Sequence, residues 1–282
     1  MPHDPMTKKK DVREMTFWEH LDELRSTLIW SVVAIAVCGI VAFIFKEILF
    51  DHILLAPKEK SFITYRLLCK LAEVTSMTSL CIDPSSFQII NINLAGQFMS
   101  HMTISFVAGL IVAMPFVVWQ FWRFIKPGLT DEEVKHTQGG VFIISFLFLT
   151  GVLFSYFIVV PLMVNFLGGY QVSEMVTNQI ALSSYTGSVT MMTLLMGLLF
   201  ELPIIVIFLT KAGIITPAYL KKYRKHTLIA ILIIAGIITP SPDIFSQLIV
   251  AIPLYFLFEL SVSVSSRIYA RKQLRMKESN DF

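Results

Sequence analysis

One carboxylate stands inside a long apolar run of this 282-residue chain. Glu201 falls within the run Tyr185–Leu209, about 24 Å from its start on a helix that rises ~1.5 Å per residue. That depth lies inside hydrocarbon, nearer the side on which the chain begins. A carboxyl placed there costs on the order of 2.5–3.5 kcal/mol on insertion scales, so it should face the interior of a bundle or a wet groove. Pro203, two residues later, should kink the helix and free a carbonyl beside the acid. Such a group suits a proton site, or a protonated acid paired with a neighbouring helix.

Two acidic clusters form the second chemical feature. Glu14, Glu19, Asp22 and Glu23 precede the first apolar run, and Asp131, Glu132 and Glu133 follow the second. Clusters of this kind suit a cationic ligand. A helix-start acid favoured by the macrodipole explains Glu19 and Glu132, but not Glu23, which lies deeper toward the membrane entry. Thr16-Phe17-Trp18-Glu19 fits a capping box that opens an amphipathic helix leading into the membrane, with Trp18 as an interfacial anchor.

Other chemistries find no support in the residue pattern. The six histidines are scattered singly, and Cys69 and Cys81 have no histidine between them, so metal binding is not expected. There is no His-Glu-x-x-His, no Gly-x-Ser-x-Gly and no phosphate-loop glycine pattern, which argues against an enzyme and against a bound cofactor. No nucleic-acid motif is present.

The elements that must position these groups are membrane helices. The chain is 55% apolar and 15% charged, with a mean hydropathy of +0.70, too apolar for a soluble domain of this size. Runs long enough to cross ~30 Å of hydrocarbon occupy Leu28–Phe45, Ile104–Phe124, Val141–Val160 and Tyr185–Leu209. Two shorter runs, Leu228–Ile238 and Leu248–Phe258, flank the turn Thr239-Pro240-Ser241-Pro242-Asp243 and form either two short spans or a re-entrant hairpin. Asp243 and Gln247 would cap the outer end of this pair, and Glu259 would pair with Arg267 or a neighbour at its inner end. Cores this short should thin the bilayer or recruit a partner to cover the mismatch.

Of the 23 lysines and arginines, 18 fall in the segments on the N-terminal side of the membrane, which places both termini in the cytoplasm. The expected fold is therefore all-α and polytopic, one domain of six spans with its last two helices short. A cytoplasmic segment (1–27), a long outer loop (46–103) and a flexible charged tail (271–282) complete it. The N-terminal stretch has no small-residue cleavage site, so the first span should be retained. Cys69 and Cys81 lie in the outer loop, an oxidising compartment if the membrane is a bacterial inner membrane. They form either a disulfide or two free thiols.

Several blocks, in order from about Glu19 to Arg267, together resemble the TatC family, the multispanning subunit of the twin-arginine protein translocase. They are His20-Leu21-x-Glu23-Leu24-Arg25, Phe121-Trp122-x-Phe124-Ile125-x-Pro127-x-Leu129 with Glu133, and Phe200-Glu201-x-Pro203. The others are Ala212-Gly213-Ile214-Ile215-Thr216-Pro217, and Thr239-Pro-x-Pro-Asp243-x-Phe-Ser-Gln247 with Ala251-Ile252-Pro253. The resemblance implies a multi-pass protein of the bacterial inner membrane that binds twin-arginine signal peptides of folded cargo at its cytoplasmic face. It also implies assembly with single-span partners of the TatA/TatB type into an oligomeric complex.

By the same resemblance Glu23 and Glu133 lie at the signal-peptide site, with Phe124 and the motif's Arg25 beside it. Glu201 is the mid-span acid, and Thr239 and Gln247 are implicated in partner contact. Two departures from the family pattern stand out. The first cytoplasmic loop reads Thr130-Asp-Glu-Glu133-Val-Lys where a basic pair is expected after the glutamate, and the first outer loop is unusually long. The alternative function is a proton-coupled small-solute transporter using Glu201, although the chain shows no pair of matching interrupted helices of the kind inverted repeats require.

Overall fold

The computed structural model describes residues 17–75, 81, 87–128, 139–173, 175–211, 213–239 and 244–280. Helix α1 (Phe17–Ile44) crosses outward. The outer loop that follows contains a π-helical turn (Ile48–Leu54), a 3₁₀ turn (Ala56–Lys58), helix α2 (Ile63–Thr75) and strand β1 (Gln88–Ile90). Helix α3 (Gly96–Ile125) returns to the cytoplasm, and α4 (Gly140–Gly169) goes out again. Strand β2 (Gln179–Ala181) precedes α5 (Leu182–Lys211). A short cytoplasmic helix, α6 (Pro217–Lys222), leads into α7 (Arg224–Ile238) and α8 (Ile244–Asn280).

This is the expected all-α bundle. Among the described residues five helices are long and apolar enough to span a membrane. The exception among the six bundle helices is α7, whose 15 residues rise only ~22 Å. In the last pair, α7 and α8 are separate helices packed on each other, and α8 by itself is long and apolar enough to span a membrane. Of the two, α8 is short only in its apolar core, because the helix itself runs for 37 residues. Residues 271–280, expected as a flexible tail, continue as helix. Arg271-Lys272-Gln273-Leu274-Arg275-Met276-Lys277-Glu278 contains only good helix formers, with no glycine or proline to stop propagation.

Small residues set the closest helix contacts, as expected where lipid supplies no hydrophobic drive for association. A Cβ on Gly109 of α3 would lie 2.5 Å from the Gly39 nitrogen and 2.6 Å from the Gly39 Cα on α1. The α1–α3 contact is the most extensive among the described residues. Between α4 and α5, Gly151 meets the Met196 carbonyl and Phe200, while Gly197 admits Phe148 and Val152. The innermost side chains, Met192, Met196, Val160 and Leu254, come from α4, α5 and α8.

Proline explains how the outer loop is pinned to the bundle. Pro161 in α4 has no N–H, so the Phe157 carbonyl one turn earlier loses its helical donor; the helix passes this point as a π turn, Ser155–Val159. The Thr64 hydroxyl of α2 donates to that Phe157 carbonyl. The neighbouring Tyr65 hydroxyl is shared between the carbonyls of Pro57 (3.0 Å) and Pro161 (2.9 Å). Carbonyls at the end of the π-helical turn are likewise capped: Ile53 by Tyr156 and Leu54 by Tyr185, each at 2.9 Å. Burial pushes the Tyr65 phenol up to about 12, so it stays a neutral donor at physiological pH. The parallel pair β1–β2, in register Gln88↔Gln179 through Ile90↔Ala181, ties this loop to the second outer loop.

These bonds make the cap cooperative. Thr64→Val and Tyr65→Phe should each destabilise it by about 1 kcal/mol, the usual net value of a hydrogen bond, and the double variant by more than their sum. Amide hydrogen exchange in α2 measures this; unchanged protection there would show that the cap is held by packing alone.

Candidate functional site at the cytoplasmic rim

At its inner end α1 begins with a polar turn that packs on the last turn of α3. His20 stacks on Phe124, with ring centroids 4.4 Å apart and planes 14° from parallel. Glu23 follows His20 by three residues and so shares its face of the helix. Its Oε2 is buried and has no hydrogen-bond partner. One face of α1 thus carries a carboxylate oxygen withdrawn from solvent and an imidazole stacked on the Phe124 ring, the anionic, aromatic notch of the rim. Buried polar atoms are nearly always paired, so an unpaired one beside a surface marks a place where a ligand's donor fits. Arg25 is exposed on the same turn of helix. Glu133 lies outside the described residues, as do Asp131, Glu132, Asp243 and Thr16 of the capping box.

His20 is a member of this notch that the sequence did not mark as a site residue. Its three-residue spacing from Glu23 placed it on the same face, but only the tertiary contact with Phe124 gives it a role.

The second polar position is Glu201, and the break expected near Pro203 is present. Regular helix stops at Leu199 and resumes at Leu202, because Pro203 cannot donate to the Leu199 carbonyl. The Glu201 carbonyl restarts the helix by accepting from the Ile204 and Ile205 amides at 3.0 and 3.2 Å. Its side-chain Oε1 is buried without a partner. Glu201 and Glu23 belong to different helices and are not brought together.

The outer tip of the α7–α8 pair is internally bonded. The Thr239 hydroxyl donates to the Ala235 carbonyl at 2.9 Å, and the Gln247 amide crosses to the Leu232 carbonyl at 2.7 Å, over Gly236. At the inner end, Arg224 of α7 pairs with Glu259 of α8 at 2.7 Å, and Tyr255 donates to the same carboxylate. Arg224 is thus the neighbour that Glu259 takes, in place of Arg267. Nearer the cytoplasm, the Thr210 and Ser265 hydroxyls join α5 to α8 at 2.8 Å. The stretch Gly213–Pro217 is a helix stop and start. Gly213 adopts φ +78° after α5, and the Thr216 side chain accepts from the Tyr219 amide to open α6 with Pro217 at its first turn.

The family described as Sec-independent protein translocase protein (TatC) matches residues 19–253, most of the chain. The chain belongs to the TatC family. A TatC protein of Blattabacterium from Periplaneta americana is 40% identical over 266 residues, covering 94% of this chain and 100% of the relative. That of Deinococcus radiodurans is 37% identical, covering 89% and 86%. Two crystal structures titled as the twin arginine translocase receptor TatC share the fold. One has a TM-score of 0.64 at 30% identity, covering 89% of this chain and all of that one. The other, in DDM, has a TM-score of 0.69 at 32% identity, covering 88% and 99%. As a TatC protein the chain is a membrane component of the Sec-independent protein translocase, multi-pass in the inner membrane. The alternative of a small-solute carrier finds no counterpart among these relatives.

The structure joins Cys69 and Cys81 through their sulfurs, with Cα atoms 4.1 Å apart. We propose that this bridge forms in the cell and staples the end of α2 across a sequence separation of 12, worth on the order of 2–3 kcal/mol to the cap by loop-closure entropy. Alkylation of the purified protein should then label both cysteines only after reduction. Full labelling without reductant would rule the bridge out.

Proposed function

We propose that this TatC protein is the receptor subunit of its translocase. It binds the twin-arginine signal peptides of folded cargo at the cytoplasmic rim and assembles with TatA/TatB-type single-span partners. The observation that carries this reading is the buried, unpartnered Glu23 oxygen beside the His20–Phe124 stack. A guanidinium is a planar, permanently charged fork that pairs with carboxylates bidentately and lies flat on aromatic rings. A lysine ammonium offers neither the fork nor the plane. The arginine pair needs a second carboxylate, which we assign to Glu133 of the first cytoplasmic loop. The apolar part of a signal peptide then has the exposed apolar side chains of α1 and α3, such as Trp30 and Phe116, along which to lie.

The contact is local enough to capture. With a photo-reactive residue at Arg25, a twin-arginine signal peptide should crosslink to the membrane-embedded protein, and a twin-lysine version should not. Equal crosslinking of both would overturn the receptor reading.

Partner contact we assign to the outer tip of α7 and α8, around Thr239 and Gln247. Glu201 we assign to a step after recognition. A carboxyl with one buried, unpartnered oxygen in an apolar span costs stability, so Glu201→Leu should raise thermal stability by about 1–3 kcal/mol. It should leave peptide binding unchanged and depress export of a folded reporter in the assembled translocase. A fall in stability would mean that the acid holds the bundle together instead.

A further inference from the structure

A cavity lies far from the cytoplasmic rim, at the outer ends of α1 and α3 beneath the capping loop. Its volume is about 840 Å³, within the range of roughly 300–1,000 Å³ typical of small-ligand sites. Its charged lining comprises Lys46, Glu47, Asp51, Lys58 and Glu59, so both signs are presented together. Lys46 directly follows the first apolar run, which sets the cavity at the outer edge of the hydrocarbon. The remaining wall includes Phe50, Leu55 and Phe98.

Part of this lining is already held in place. His101 stacks on Phe43 with centroids 3.9 Å apart, and its Nε2 bonds the Phe43 carbonyl at 3.1 Å, one of the open carbonyls at the end of α1. The Lys58 ammonium sits 5.1 Å over the Phe87 ring, and Glu59 accepts from Ser61 at 3.0 Å. By contrast Lys46, Glu47 and Asp51 make no ion pair among the described residues. The cavity thus has a fixed floor and three charges of both signs with unspent bonding capacity.

We propose that this cavity holds the headgroup of an outer-leaflet phospholipid that carries a primary ammonium, of the phosphatidylethanolamine class. Its phosphate faces Lys46 and Lys58, and its ammonium donates to Glu47 and Asp51. The charge pattern selects a zwitterion. A phosphatidylglycerol-type anion would meet three carboxylates, and a free polycation would meet two lysines. The apolar wall at the hydrocarbon edge selects a lipid over a soluble phosphate ester. A quaternary choline headgroup has the same net charge but no N–H to donate, so the carboxylates discriminate against it. Seated there, the lipid would bridge the outer end of α1 to the capping loop.

The test titrates the purified full-length chain with phosphatidylethanolamine and phosphatidylcholine of matched acyl chains and counts bound lipids by native mass spectrometry. The ethanolamine lipid should bind about tenfold more tightly, the low end of what one hydrogen bond to a charged group contributes. The double variant Glu47→Gln/Asp51→Asn should bind both lipids alike. Lys46→Gln should weaken both to a similar degree, which keeps the proposal testable should the double variant fail to fold. Equal affinity for the two lipids in the wild type would overturn the proposal, as would a preference that survives in the double variant. Displacement of the lipid by soluble O-phosphoethanolamine at equal concentration would also overturn it, since the lipid would then not be the selected occupant.

Discussion

Placing leucine at Gly109 should part α1 from α3 and abolish signal-peptide binding. A Cβ at that position would fall 2.5 and 2.6 Å from backbone atoms of Gly39 and 3.0 Å from the Ile35 carbonyl. Backbone cannot rotate aside as a side chain can, so the helices themselves must separate. Among the described residues α1 packs extensively on α3 alone, so no other contact would hold it. The cost should exceed the ~1–3 kcal/mol usual for overpacking. Because the same helix pair sets His20 on Phe124, the notch at Glu23 should be lost with the packing. Gly187→Ala, which adds a Cβ where nothing lies within 4 Å, is the control and should melt like the wild type. Thermal unfolding of the two variants in the same detergent decides the matter; a Gly109→Leu protein as stable as its control would refute the close-packed pair.

The second large effect is expected from Glu23→Gln. This substitution keeps the shape of the side chain and removes its charge. Since Glu23 Oε2 has no partner in the free protein, folding should lose nothing and gain slightly. Binding should behave in the opposite sense. Losing one hydrogen bond to a charged group costs roughly 1.5–3 kcal/mol, or about 10- to 150-fold in affinity for a twin-arginine peptide. An exposed ion pair would give much less, on the order of 0–1 kcal/mol, so the size of the loss reports how far the notch is desolvated. A variant that loses stability along with binding would point to Glu23 as a structural residue.

The spans, their orientation and the two unusual acids were legible from the chain because each depends on local quantities: run length, charge count, and a polar residue where lipid forbids one. Pro203 likewise announced the break at Glu201. Other features depend on what meets across space. That Gly39 faces Gly109, or that Thr64 supplies the donor Pro161 withholds from Phe157, requires the helices to be docked first. The helical continuation of α8 was obscured for a different reason. Its charged residues read as a solvated tail, yet the same residues are strong helix formers once a preceding helix has supplied the nucleus. At the rim, Glu23 and Phe124 are named by family resemblance alone, and the stack of His20 on Phe124 is visible only in the tertiary structure.

Recognition of paired arginines by Glu23 decides whether the chain acts as a receptor. Its most direct test is the affinity of a twin-arginine signal peptide and its twin-lysine counterpart for the membrane-embedded protein, measured with wild type and with Glu23→Gln. The arginine peptide should bind the wild type more tightly than the lysine peptide, and Glu23→Gln should remove most of that preference while the protein stays folded. Equal binding of the two peptides by the wild type, or a preference left intact in Glu23→Gln, would contradict it.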